Sequence, residues 1–160
     1  MKPDRSKILT LIIDQLHLDL ASLEQAVAIA RDTATHADCL GASKYETMGL
    51  EASYLAQGQG TRLLEIEHSL EYFKRLLPVE SSSTVALSSL VTLEDDQGDQ
   101  QLLWLALEAG GLKVICDDLT VTVITPRSPL GGELTGRCVG DAFEVSIAGN
   151  RRSYEVVAID

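Results

Sequence analysis

A chain of 160 residues is long enough for one ordinary domain or two small ones, and too short for a large multidomain enzyme. With 45% apolar and 23% charged residues it has the composition of a folding chain, which excludes wholesale disorder. An aromatic share of 4% means that any core is built from Leu, Val, Ile and Ala.

The balance of 24 acidic against 13 basic side chains gives a formal charge of −11. A protein that tracks nucleic-acid phosphates needs a positive face, so direct duplex DNA or RNA binding is not expected. No run approaches the roughly 18 apolar residues of a membrane span, and the opening MKPDRSKILTLIID is not a signal peptide. A cytoplasmic location without a membrane partner is expected. Cys39, Cys116 and Cys138 are odd in number, widely spaced and without a CxxC pair, so they read as free thiols.

From Ser6 to about Ala37 the chain has neither Gly nor Pro. Apolar residues recur at Leu9, Ile13, Leu16, Leu20, Leu23, Val27, Ala30, Ala34 and Ala37. Beyond Ile13 the steps alternate between three and four, the average of about 3.5 that keeps one stripe of a helix against a partner helix. A second such series runs through Tyr45, Gly49, Ala52, Ala56, Gln59, Leu63, Ile66, Leu70, Phe73 and Leu77. The short stretch 38–43 between them forces antiparallel neighbours. This register sets Leu16 near Ile66, Leu20 near Leu63 and Ala30 near Ala52. Residues 1–77 are therefore expected to form an antiparallel coiled-coil hairpin with its tip at about 38–43.

Pro78 and the run Ser81, Ser82 and Ser83 make 78–83 a linker. Short β-branched runs follow at 85–93, 102–107, 112–116, 119–125, 142–147 and 154–159, with turn-rich segments at 95–99 and 148–151. Ser128 as N-cap and Pro129 at the first helical position predict one short helix over 128–135. The expected class is α+β, with a small antiparallel β domain carrying one helix over 84–160.

The run Ile124-Thr125-Pro126-Arg127-Ser128-Pro129-Leu130-Gly131 is followed by Leu134-Thr135-Gly136-Arg137-Cys138-Val139-Gly140-Asp141, then Phe143-Glu144-Val145 and Tyr154-Glu155-Val156. In order and spacing this resembles the C-terminal domain of the bacterial Gre transcription elongation factors, and the preceding helical hairpin has the length that goes with it. The resemblance implies an FKBP-like C-terminal domain that docks on RNA polymerase, with the coiled coil entering the secondary channel of that enzyme. It places polymerase contacts at Ser128, Pro129 and, in the loop region before them, Asp118.

Gre cleavage factors carry a tip of the form D-L-S-E-N-A-E-Y, whose Asp and Glu help hold magnesium in the polymerase active site. Aligned on Tyr45, this chain reads Asp38-Cys39-Leu40-Gly41-Ala42-Ser43-Lys44-Tyr45. Asp38 matches the Asp, Gly41 stands in the place of the Glu, and Glu46 is a substitute about one turn along the second helix. Magnesium takes clustered oxygen ligands, so one carboxylate is a weaker set than two. Asp38 is thus the one metal ligand the resemblance assigns; the chain has no cofactor of its own, and any magnesium is shared with the polymerase.

Other chemistry-bearing residues have simpler readings. His36, Asp38 and Cys39 lack a fourth ligand for a transition metal and read as a solvated turn. His17 and His68 read as surface residues beside the seam, and Glu94, Asp95, Asp96 and Asp99 as a solvated loop. Neither Gly110-Gly111 nor Gly131-Gly132 has the Gly-Lys-Ser/Thr ending of a phosphate loop. Three functions stay open: a non-enzymatic regulator bound to polymerase, with little transcript cleavage or with cleavage through Asp38 and Glu46; a coiled-coil adaptor; and a prolyl isomerase, which so few aromatics equip poorly.

Overall fold

A computed structural model of the chain describes residues 3–40, 43–76 and 82–160, with side chains over 3–32, 58–76 and 82–160. Two long helices come first, α1 (Arg5–Leu40) and α2 (Ser43–Lys74). They are followed by β1 (Leu90–Asp95), β2 (Gln100–Leu105), β3 (Lys113–Cys116), β4 (Leu119–Ile124), α3 (Pro129–Leu134), β5 (Ala142–Ile147) and β6 (Asn150–Ile159). The class is α+β, as the periodicities predict.

Two compact units emerge from the packing: Asp14–Lys74, and Met1–Ile13 together with Arg75–Asp160. In the first, Leu16, Val27, Ala30, Leu70 and Phe73 are buried. Leu20, Leu23, Leu63 and Ile66 are half-buried, and most of their neighbours are exposed. These are the expected seam positions. The side chains at Ala34, Ala52 and Ala56 lie outside the described residues, as do those of the linker up to Ser81.

Near its start α1 departs from the seam. Ile8 and Ile12 are fully buried, whereas Leu9 and Ile13 are only half-buried. The physical reason is that these turns belong to the unit containing the sheet, and a stripe stepping by four replaces the three-and-four alternation that a partner helix demands. α1 continues through Leu40 and α2 opens at Ser43, within the stretch 38–43 expected for the tip.

The six strands form one sheet in the order β3-β4-β2-β1-β6-β5. All pairs are antiparallel except β2–β4, which is parallel, with Leu102 opposite Val121 and Leu105 opposite Ile124. An entirely antiparallel sheet would have followed from hairpins alone. Here β3 intervenes in sequence and lies outside β4, so the chain re-enters beside β2 in the same direction. The first strand starts later than expected, because Ala86 and Ser89 form a turn closed by Ser89 N–H to Ala86 O at 3.0 Å and by Ala86 N–H to Ser89 Oγ at 3.0 Å. The last begins earlier, since Ala148 and Gly149 suffice as a two-residue hairpin turn with φ of 52° and 81°.

Alternation along the strands divides the apolar residues between two faces. One face carries Val91, Leu93, Leu103, Leu105, Phe143, Val145, Tyr154 and Val156, and these form a core cluster with Val85 and with Leu134 of α3. On the other face Leu90, Trp104, Val114, Cys116, Val121 and Val123 are buried too. The start of α1 serves that second face: the Arg5 guanidinium sits 5.7 Å from the Trp104 ring centroid and Arg5 Nη2 donates to the Ser88 carbonyl.

Strand directions put the turns β1–β2, β3–β4 and β5–β6 at one end of the sheet. Helix α3, the loop 106–112 and the turn 86–89 are at the opposite end.

Candidate functional site

At the α3 end, Ser128 caps the helix as its sequence predicts. Its Oγ accepts from Gly131 N–H at 3.0 Å and donates to the Thr125 carbonyl at 2.8 Å. Pro129 follows at the first helical position, where its missing N–H costs nothing. Ser128 therefore has a structural duty that accounts for it, while Pro129 is exposed. Gly131 is buried because Thr125 and Ser128 press against it, and the spacing Ser-Pro-Leu-Gly is what this close approach requires.

Asp118 occupies the other end of the sheet. Asp117 and Asp118 are the two central residues of the β3–β4 turn, both left-handed with φ of 49° and 66°. Aspartate reaches that region more easily than most residues. The strand β4 (Leu119–Ile124) separates Asp118 from Thr125 and Ser128, a distance of about 20 Å at roughly 3.3 Å per residue. The structure thus brings Ser128 and Pro129 together and leaves Asp118 apart from them.

Around Asp118 the charges are organised. Lys7 Nζ donates to Asp117 Oδ1 at 2.6 Å, with both side chains about half exposed. The Lys7 ammonium holds the Asp117 carboxyl below the usual carboxylate range, chiefly by that hydrogen bond and then by its charge, and the carboxylate raises Lys7 in return. Burial pushes the Cys116 thiol up, with Asp117 adding to the effect, so Cys116 is a packed thiol rather than a nucleophile. A cleft of about 720 Å³ opens beside this turn, lined in part by Pro3, Gln101, Leu102, Asp118, Leu119 and Thr120.

Asp38 lies in α1 and Glu46 in α2, but their side chains are outside the described residues, as is Gly41. Among the described residues no group of three or more His, Cys, Asp or Glu is placed to hold a metal. His17 and His68 are exposed. The acidic turn closes on itself, Asp95 Oδ1 accepting from Gln97 N–H and Asp99 N–H at 2.9 Å each.

Sequence reasoning missed Arg5 and Lys7. No local spacing announces them; only the packing of α1 beside the sheet gives Arg5 its place over Trp104 and Lys7 its place against Asp117. No helix among the described residues is long and apolar enough to cross a membrane.

No family model matches the chain. It is 26% identical over 136 residues to the transcription elongation factor GreA of Ruegeria pomeroyi, covering 85% of this chain and 80% of that one. With the transcription inhibitor protein Gfh1 of Thermus thermophilus it shares 28% identity over 151 residues, 92% of this chain and 90% of the relative. A solved structure of the transcription factor Gfh1 aligns with 92% of each chain at 27% identity and a TM-score of 0.41. The chain is thus similar, over most of its length, to the GreA and Gfh1 transcription factors.

Proposed function

We propose that this chain binds RNA polymerase through its C-terminal unit, sends its helical hairpin into the secondary channel, and regulates transcription with little or no stimulation of transcript cleavage. The observation that carries the reading is the tip: Asp38 stands where the cleavage factors have their Asp, and Gly41 stands where they have their Glu. A relative named as a transcription inhibitor, similar over nine-tenths of both chains, supports the same direction.

Physical chemistry separates docking from cleavage. Shape and the exposed Pro129 at the start of α3 serve docking, and neither depends on a carboxylate at the tip. Magnesium needs several hard oxygen ligands; Asp38 supplies one, and any others would come from Glu46 or from the polymerase. A bound metal would supply charge stabilisation for phosphodiester hydrolysis, while this chain's part is to present Asp38 and exclude competing ligands from the channel.

The test is RNA cleavage in backtracked elongation complexes, with and without the full chain, alongside a polymerase pull-down. Binding without accelerated cleavage is the expected result. Robust cleavage that Asp38→Ala or Glu46→Ala abolishes would replace this reading with that of a cleavage factor, and absence of binding would leave the adaptor reading.

A further inference from the structure

We propose that the cleft beside the β3–β4 turn is a binding site for a short, basic, extended polypeptide segment of a partner protein. It lies at the opposite end of the sheet from Ser128 and Pro129, so it does not rest on their role in docking.

Chemistry along the cleft selects the ligand. Lys7 already satisfies Asp117, whereas Asp118 is an exposed carboxylate for which no hydrogen bond or ion pair is formed among the described residues. Leu119, next in the chain, is 42% exposed, so a charge and an apolar surface stand side by side. Arg and Lys match that pair, with a methylene stem for the leucine and a cationic head for the carboxylate. On the face that Leu119 shares, Gln100 and Thr92 also line the cleft, and the Gln100 amide oxygen and the Thr92 hydroxyl suit the peptide groups of an extended chain.

Size agrees with a segment rather than with a single side chain. The lining reaches from the β3–β4 turn across β4 and β2 to Thr92 on β1. Three inter-strand gaps of about 4.8 Å make roughly 14 Å, the span of about four or five extended residues. Pro3 closes one wall without offering an N–H that would compete for acceptors. The chain's charge of −11 disfavours a nucleic-acid phosphate backbone as the occupant.

The experiment titrates the full-length 15N-labelled chain with the pentapeptide Ser-Arg-Ser-Arg-Ser, blocked at both ends, and with its Glu counterpart. Saturable amide shifts confined to Thr92, Gln100, Leu102, Asp118 and Leu119 are expected with the Arg peptide alone. Asp118→Asn, whose side chain tolerates the left-handed turn, should weaken binding roughly three- to fivefold, the effect of losing one exposed ion pair. Asp96→Asn removes the same charge from the neighbouring hairpin outside the cleft and should leave binding unchanged. Unsaturable shifts spread over the acidic surface, equal losses in the two variants, or no binding of the Arg peptide would overturn the proposal. Any of these leaves the polymerase reading standing, because that reading is measured by pull-down and cleavage.

Discussion

The carbonyl oxygen of Thr125 occupies the space where a side chain on Gly131 would begin: a Cβ built there lies 1.9 Å from that oxygen and 2.9 Å from Ser128 Oγ. The obstruction is backbone, which cannot rotate aside. It is also the carbonyl that accepts from Ser128 N–H at 3.0 Å and from Ser128 Oγ at 2.8 Å, so moving it loosens the cap. Gly131→Ala gains up to about 1 kcal/mol of helix propensity but incurs overpacking of about 1–3 kcal/mol and weakens the cap. Net destabilisation is expected in urea unfolding of the full chain. At Gly132 the nearest atom is Pro126 O at 3.2 Å, so Gly132→Ala should cost much less. Equal effects at the two positions would contradict this account.

The second buried face of the sheet bears on what the C-terminal unit can do alone. Leu90, Trp104, Val121 and Val123 are at most 2% exposed in a unit that includes Met1–Ile13. A fragment of residues 82–160 leaves that face without the Arg5 contact. The expected outcome is the loss of a cooperative unfolding transition that the full chain retains, followed by circular dichroism and calorimetry. A fragment that unfolds cooperatively at the full chain's temperature would show that α1 is dispensable to the sheet.

Much of this fold was legible in the sequence. Period 3.5 marked both helices, alternation marked most strands, and Ser128-Pro129 marked α3 to within a residue because capping is local chemistry. The parallel pairing of β2 with β4 was not legible, since nothing in either run states its neighbour. The separation of Asp118 from Ser128 was legible in the run 119–125, since a strand of that length holds its two ends about 20 Å apart. At the tip the sequence itself is the source for Asp38, Gly41 and Glu46.

A burial stripe that shifts by one residue makes a clean mutational contrast. Ile12 is fully buried while its neighbour Ile13, the expected seam residue, is half-buried. Ile12→Ala should cost about 2–5 kcal/mol, the range for removing a fully buried aliphatic side chain, and Ile13→Ala distinctly less. Denaturant midpoints of the two variants check it. The reverse order would restore the regular seam to the start of α1.

For the Lys7–Asp117 pair the sign of the pH effect follows from its two shifts. Asp117 is lowered in the folded chain, so its contribution is present above the unfolded value of about 3.9 and is lost as pH falls through the lower folded value. Lys7 is raised, so its contribution is complete below about 10.4 and disappears as pH rises through the higher folded value. Lys7→Met should therefore reduce stability slightly on the plateau between these limits and make no difference beyond either. Because both groups are exposed, the difference should shrink with added salt. Carboxyl-carbon NMR titration should find the Asp117 pKa higher in Lys7→Met than in the wild type; an unchanged value would remove the ion pair from the account.

The tip offers a gain-of-function test. Gly41 contributes no oxygen ligand from a side chain, whereas the cleavage-factor pattern has Glu in that place followed by Asn. Gly41→Glu paired with Ala42→Asn restores that pattern beside Asp38 and, with the hairpin in the channel as proposed, would add one hard ligand near the polymerase metal. If an added ligand is worth about 1.4 kcal/mol or more in a water-poor channel, cleavage in backtracked complexes rises about tenfold or more. Docking surfaces are untouched, so polymerase affinity should stay level while cleavage climbs, and Asp38→Ala in the double variant should take the gain away. A double variant that binds as well as the wild type yet cleaves no faster would show that Gly41 does not limit cleavage in this chain.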